Sequence, residues 1–78
     1  MSLPFERAQG VIKVYRTDKG FGFAQRESGP DVFVHANDLK RSGIDGGVKE
    51  GDVLEFDMVP VAGKGLKACN IRFLASGD

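Results

Sequence analysis

The chain contains a single cysteine (Cys69), a single histidine (His35), no tryptophan and only 3 prolines. One cysteine cannot close an intrachain disulfide, and one cysteine with one histidine falls short of the four-ligand sets that hold structural zinc. A reducing compartment is the expected setting, with neither a metal nor a cofactor. An excess of charge of one sign is also missing. The 11 Lys+Arg offset 11 Asp+Glu, so global charge offers no argument for a polyanionic partner. No apolar run approaches the ~18–20 residues that a membrane span requires, and no membrane partner is expected. Pro4 and Glu6 stand where a secretory leader needs an apolar stretch, which points to a cytoplasmic protein. Residues 1–3 read equally well as an expression remnant. At 78 residues there is room for one domain, and a chain of this size buries only about 60% of its unfolded surface.

Glycine, by contrast, is abundant. Eleven glycines break the chain so often that the longest stretch free of Gly and Pro is residues 31–42, which excludes a protein of several long helices. Short apolar runs between Gly, Pro, Asp and Asn predict an all-β fold with five strands, over residues 10–17, 20–26, 31–36, 52–61 and 66–74. Asp18-Lys19-Gly20 and Glu27-Ser28-Gly29-Pro30 carry tight-turn chemistry between the first three strands. Asn37 is placed to cap a single helical turn after the third, and the glycine-rich segment 41–51 is irregular. A short sheet with one wet face would leave two open edges, and closing it into a small barrel removes them.

In the fourth strand Leu54, Phe56 and Met58 share one face and Glu55 and Asp57 the other. In the fifth, Cys69, Ile71 and Phe73 alternate with Ala68, Asn70 and Arg72, and the apolar set is expected inward, with Cys69 a small buried hydrophobe. The middle strands depart from this pattern. In Lys19-Gly20-Phe21-Gly22-Phe23-Ala24 one face is all small and the other carries Lys19, Phe21 and Phe23. Glycine inside a strand costs roughly 0.5–1 kcal/mol, so two of them imply sharp curvature or close backbone approach. In Asp31-Val32-Phe33-Val34-His35 both faces are apolar. Either Phe21, Phe23 and Phe33 are core, or Val32 and Val34 point inward and the three rings, with His35, form an exposed patch suited to stacking the bases of single-stranded nucleic acid. Strand parity alone does not choose.

Lys19-Gly20-Phe21-Gly22-Phe23 and Val32-Phe33-Val34-His35 resemble the two ribonucleoprotein motifs of the cold-shock domain, at that family's spacing. The frame agrees: Gly10-Val11-Ile12-Lys13 before the first motif, Asp31 opening the second, Gly51-Asp52-Val53-Leu54-Glu55-Phe56 later, and Gly63-Lys64-Gly65 followed by Ala68-Cys69-Asn70-Ile71. The likeness spans residues 10–74 as the domain, leaving 1–9 as an N-terminal extension and 75–78 as a tail. It is nearer to bacterial cold-shock proteins than to Y-box domains, because the central loops are short. The resemblance implies an all-β, five-stranded antiparallel Greek-key barrel of the oligonucleotide/oligosaccharide-binding type. It also implies that Phe21, Phe23, Phe33 and His35 face outward as a stacking platform. Single-stranded RNA or DNA, pyrimidine-rich by family habit, is then the expected partner, and an RNA chaperone or a regulator of transcription or translation the expected role. A monomer is expected, with a dimer as the alternative. The RNA-recognition motif shares Lys-Gly-Phe-Gly-Phe, but it needs two helices and the reverse motif order.

Where the family usually has Lys-Trp-Phe-Asn, this chain has Lys13-Val14-Tyr15-Arg16. Ala36 replaces an aromatic after the histidine, and Ile44 a further one in the loop. With stacking worth ~1–3 kcal/mol per base, a shorter site and weaker binding than usual are expected. Lys13, Arg16 and Lys19 gather at the first hairpin and Glu50, Asp52, Glu55 and Asp57 around the fourth strand, a basic face and an acidic back. The predicted binding residues are Lys13, Tyr15, Arg16, Lys19, Phe21, Phe23, Phe33, His35 and Lys64, with a shallow salt dependence. Nothing assembles an enzyme: His35 has no recognisable nucleophile or carboxylate partner, Gly20 and Gly22 lack the third glycine of a dinucleotide fingerprint, and Gly63-Lys64-Gly65 lacks the rest of a phosphate loop. No small-molecule substrate is expected. The rival readings are a protein-interaction module on the same barrel, and one domain of a longer protein in which linkage restores affinity.

Overall fold

The computed structural model describes residues 6–45, 47–63 and 65–77. Its elements in chain order are β1 (Glu6–Arg16), β2 (Phe21–Arg26), β3 (Val32–His35), α1 (Ala36–Arg41), β4 (Val53–Val61) and β5 (Gly65–Ala75). The strands form a closed barrel in the order β1-β2-β3-β5-β4. β1 begins at Glu6, earlier than the alternation suggests, because it serves two neighbours. Its first half pairs with β4, from Glu6↔Met58 to Val11↔Val53. Its second half pairs with β2, from Gly10↔Arg26 to Arg16↔Phe21. These ladders are antiparallel, and so is β2 with β3 and β4 with β5. The seam between β3 and β5 runs parallel over Val32↔Leu66 and Phe33↔Lys67. No helix among the described residues is long and apolar enough to cross a membrane.

The inward face carries Ile12, Ala24, Val32, Val34, Leu54, Phe56, Met58, Ala68 and Ile71, with Leu39 of α1 and Val48 of the following loop joining them. Phe56 is the largest fully buried side chain. Small residues face it for that reason: a Cβ on Gly10 would lie 3.1 Å from both the Phe56 ring and the Ala24 methyl. Burying one such ring contributes roughly 1.5–3 kcal/mol.

The glycine-rich face of β2 has the cause its sequence implies. A Cβ on Gly22 would overlap the Val14 carbonyl oxygen and lie 2.8 Å from both Cα and Cδ1 of Tyr15. The β1 backbone therefore passes directly over this residue, and the Tyr15 ring takes the space a side chain would fill.

In β5 the alternation does not hold. Asn70 adopts a left-handed conformation with φ 49, and the β4–β5 register shifts between Glu55↔Arg72 and Asp57↔Cys69. One extra residue reverses the parity, so Ala68 and Ile71 are both buried while Cys69 is only half-buried and Phe73 is 45% exposed. The expected inward trio of Cys69, Ile71 and Phe73 is thus corrected to Ala68 and Ile71. The bulge is held by Arg7, whose Nη1 donates to the Asn70 carbonyl (2.7 Å), and by the Asn70 side-chain amide, which donates to Asp57 (2.8 Å).

The acidic back is also smaller than the sequence suggests. Arg7 bridges to Glu55 and to Asp57, each at 3.2 Å. Asp52 is buried, and its carboxylate accepts the N–H groups of Lys49 (2.9 Å) and Gly77 (2.8 Å). It clasps the 42–52 connection to the chain's end and presents no charge to solvent. The helix cap differs as well. His35, not Asn37, is the N-cap of α1, and its Nδ1 accepts the Asn37 N–H at 3.1 Å. At the other end the Ser42 hydroxyl donates to the Asp38 carbonyl (2.9 Å) and accepts the Ile71 N–H (2.8 Å), tying α1 to β5.

Candidate nucleic-acid interface

Val32 and Val34 are fully buried at 0% exposure. Since successive strand residues face opposite ways, Phe33 and His35 must point outward, and both are half-buried on the outer surface. Gly22 and Ala24 are buried on β2, which sends Phe21 and Phe23 outward beside them. The β2–β3 register sets Phe21 against His35 and Phe23 against Phe33. Four rings therefore form one patch. Phe21 and Phe33 stack at 5.7 Å with planes 28° apart, Phe23 meets Phe33 edge-on at 5.7 Å, and His35 lies 6.0 Å from Phe33. Phe33 is the hub. Edge-to-face and offset contacts of this kind contribute about 0.5–1.5 kcal/mol each, which keeps the rings ordered while their outer faces stay open.

A bulge in β1 extends the patch. The β1–β2 register shifts between Ile12 and Val14. Ile12 points into the core, yet Val14, two residues later, lies outside against Phe23, and Arg16 lies against Phe21. On the far side, the β3–β5 seam sets Lys67 against Phe33. The outer surface thus carries two cross-strand rows: Val14, Phe23, Phe33, Lys67, and Arg16, Phe21, His35.

The same bulge turns Tyr15 inward. Its ring covers Gly22, packs against the core and reaches Gly47, and burial raises its phenol pKa. The structure therefore places Tyr15 beneath the platform and apart from the outward rings. Ile44 likewise packs on the core, and Ala36 is the first residue of α1.

Around the patch most cations are held by carboxylates. Lys13 pairs with Asp31 at 3.4 Å, Arg16 with Asp18 at 3.7 Å and Lys67 with Asp38 at 3.5 Å. Lys19 is exposed in the turn before β2, whose backbone closes through the N–H groups of Lys19 and Gly20 on the Arg16 carbonyl. It is not a strand residue beside Phe21, as its spacing suggests. Lys64 lies outside the described residues. Because His35 Nδ1 accepts the Asn37 N–H, its ring proton sits on Nε2, leaving one donor free for a base edge or phosphate.

Two clefts flank Phe33. One of 270 Å³ is lined by Phe33, His35, Asn37, Asp38, Arg41 and Lys67. The other, of 160 Å³, is bounded by Phe33, Val61, Leu66 and Lys67. Lys67 borders both, and sequence reasoning missed it. Its outward direction follows from the burial of Ala68, but its place beside Phe33 depends on which strands meet at the seam, for which the sequence has no local signal. The described residues hold no group of three or more His, Cys, Asp or Glu placed to bind a metal.

Residues 8–74 match the profile of the 'Cold-shock' DNA-binding domain. A cold shock-like protein CspC from Bacillus cereus is 43% identical over 63 residues, covering 81% of this chain and 94% of that protein. The major cold shock protein of Streptococcus pyogenes serotype M6 is 41% identical over 68 residues, covering 87% and 98%. Cold shock protein CspC from Bacillus subtilis is 39% identical over 64 residues, covering 82% and 94%.

Proposed function

Because this chain belongs to the cold-shock domain family, a family of nucleic-acid-binding domains, we propose that it binds single-stranded RNA or DNA by stacking bases on Phe21, Phe23, Phe33 and His35. The observation that carries this reading is the burial of Val32 and Val34, which turns Phe33 and His35 outward beside Phe21 and Phe23, four rings joined through Phe33 on one side of the barrel. A half-buried aromatic cluster on the outer wall stabilises the fold less than the same rings would in the core. Bases supply the missing cover, and each stacked base contributes ~1–3 kcal/mol irrespective of its identity.

The rim fits a base-led mode of binding. Lys13 and Arg16 each stand beside a carboxylate that offsets part of their charge, and Lys19 is the more available cation. Binding then has little sequence preference from the backbone and a shallow salt dependence. No bond is made or broken. A protein of this kind loosens structured RNA or occupies single-stranded control regions, as an RNA chaperone or a regulator of transcription or translation, and a monomer suffices for it. The free thiol of Cys69 suits a reducing, cytoplasmic setting.

Calorimetric titration with short oligothymidylates and oligouridylates tests the reading. Phe33→Ala, which removes the hub, should weaken binding about 5- to 150-fold, with the barrel intact by circular dichroism. Unchanged affinity in a folded Phe21→Ala/Phe33→Ala double variant would move the function to protein contact on the same barrel.

A further inference from the structure

Within that stacking reading, the cleft between α1 and β5 has a chemistry that plain stacking does not use. Phe33 and His35 form its floor, and Asp38, Arg41, Asn37 and Lys67 line its walls. At 270 Å³ it falls below the ~300–1,000 Å³ of sites that enclose a whole small molecule, and it opens beside the rings, where the end of a stacked strand would lie. The Asp38 side chain is only 7% exposed and lies 3.5 Å from Lys67, which is 35% exposed. A carboxylate so sheltered is costly unless it is fully engaged, and here it meets its cation at the lip of a cleft. A cationic donor beside an anionic acceptor, one step from an aromatic floor, matches the edge of a flat heterocycle.

We propose that this cleft is a guanine-preferring subsite at one end of the platform. Guanine presents a carbonyl oxygen beside two N–H donors. Lys67 donates to O6, the Asp38 carboxylate accepts from N1–H and N2–H, and Arg41, one turn along α1, reaches O6 and N7, the commonest contact to that base. Thymine and uracil offer a carbonyl beside one N–H, but a second carbonyl stands where guanine has its N2–H, so they make fewer of these bonds and set an acceptor against the carboxylate. Adenine and cytosine offer an amino group beside a bare ring nitrogen and reverse the order of donor and acceptor. The predicted ranking at this one position is guanine, then thymine or uracil, then adenine and cytosine. Elsewhere on the platform, phenylalanine faces cannot distinguish bases by hydrogen bonding.

The test is a titration of a six-nucleotide oligothymidylate against variants carrying a single dG, dA or dC at each position in turn. A dG at one near-terminal position should tighten binding about tenfold, on the scale of one good base-edge contact, while dA and dC there weaken it. Asp38→Asn and Lys67→Met should each abolish that advantage, with both variants still binding the all-thymidine strand. Binding of the thymidine strand with no position favouring dG would overturn the subsite and leave the stacking reading standing, as would a dG advantage that survives in both variants. Absence of binding to any strand would overturn the stacking reading, and the subsite with it.

Discussion

Replacing Val14 by tryptophan should convert the weakest station of the platform into a stacking surface. Val14 heads the row that continues through Phe23 and Phe33. The bulge at Ile12–Val14 turns it out of the core, leaving it 36% exposed, so a larger side chain meets solvent on one side and the Phe23 ring on the other. The barrel should tolerate the change or gain from it, since an aromatic pair across antiparallel strands contributes roughly 0.2–1 kcal/mol. Binding gains one more stacked base at ~1–3 kcal/mol, or about 5- to 150-fold. We expect about tenfold, because the new indole has a single aromatic neighbour and stands at the end of its row. The protein has no tryptophan of its own, so the substituted protein reports its own occupancy. Indole fluorescence should be quenched on titration with oligothymidylates, and the affinity should rise most for strands one nucleotide longer than the parent's minimal site. A native fold with affinity within twofold of the parent, quenched or not, would refute the claim that bases run along this row.

Gly22→Ala tests the close passage of β1 over β2. The added methyl overlaps the Val14 carbonyl, and overpacking of this kind costs about 1–3 kcal/mol. A denaturant midpoint equal to the parent's would contradict the geometry. A hydrogen bond from Asn70, then Arg7, lowers the Asp57 pKa below its ordinary 3.8. Folding thus favours the ionised form, a stabilisation present above pH 3.8 and lost as pH falls through the lower folded-state value. Asp57→Asn should flatten the acid limb of melting temperature against pH, and an identical acid limb would remove this role. With Lys13, Arg16 and Lys19 as the described cations of the first hairpin, and about −0.7 per phosphate on a single strand, the slope of log affinity against log salt should be no steeper than about −2. A steeper slope would mean that binding is led by phosphates. The Cys69 thiol, its pKa raised first by burial and then by Asp57 and Asp38, should react slowly with alkylating reagents at neutral pH, and rapid alkylation would place it outside the barrel wall.

Strand number and the barrel were legible because turn chemistry and two-residue alternation are local properties. The direction of Phe21, Phe23 and Phe33 was not. Alternation assigns residues to two faces without naming the inner one, and only the likeness of Lys19–Phe23 and Val32–His35 to known motifs favoured the outward choice. The failures cluster where one residue is added to a ladder. The bulge before Val14 reversed the parity of Tyr15, and the left-handed Asn70 reversed that of Ala68 and Cys69. A bulge depends on the partner strand, so neither segment announces it. Lys67 was hidden for a related reason, since its neighbour Phe33 lies across a seam between strands distant in the chain. Asp52 shows the limit of counting charges: its carboxylate is consumed by two backbone amides.

The parallel seam of two rungs between β3 and β5 is the shortest join in the wall, and the row from Phe23 through Phe33 to Lys67 crosses it. A bound strand lying along that row would act as an external staple over this shortest join. Occupancy would then slow amide exchange at Leu66 and Lys67 more than anywhere in β4, and the ligand would lock the hoop as well as rest on it.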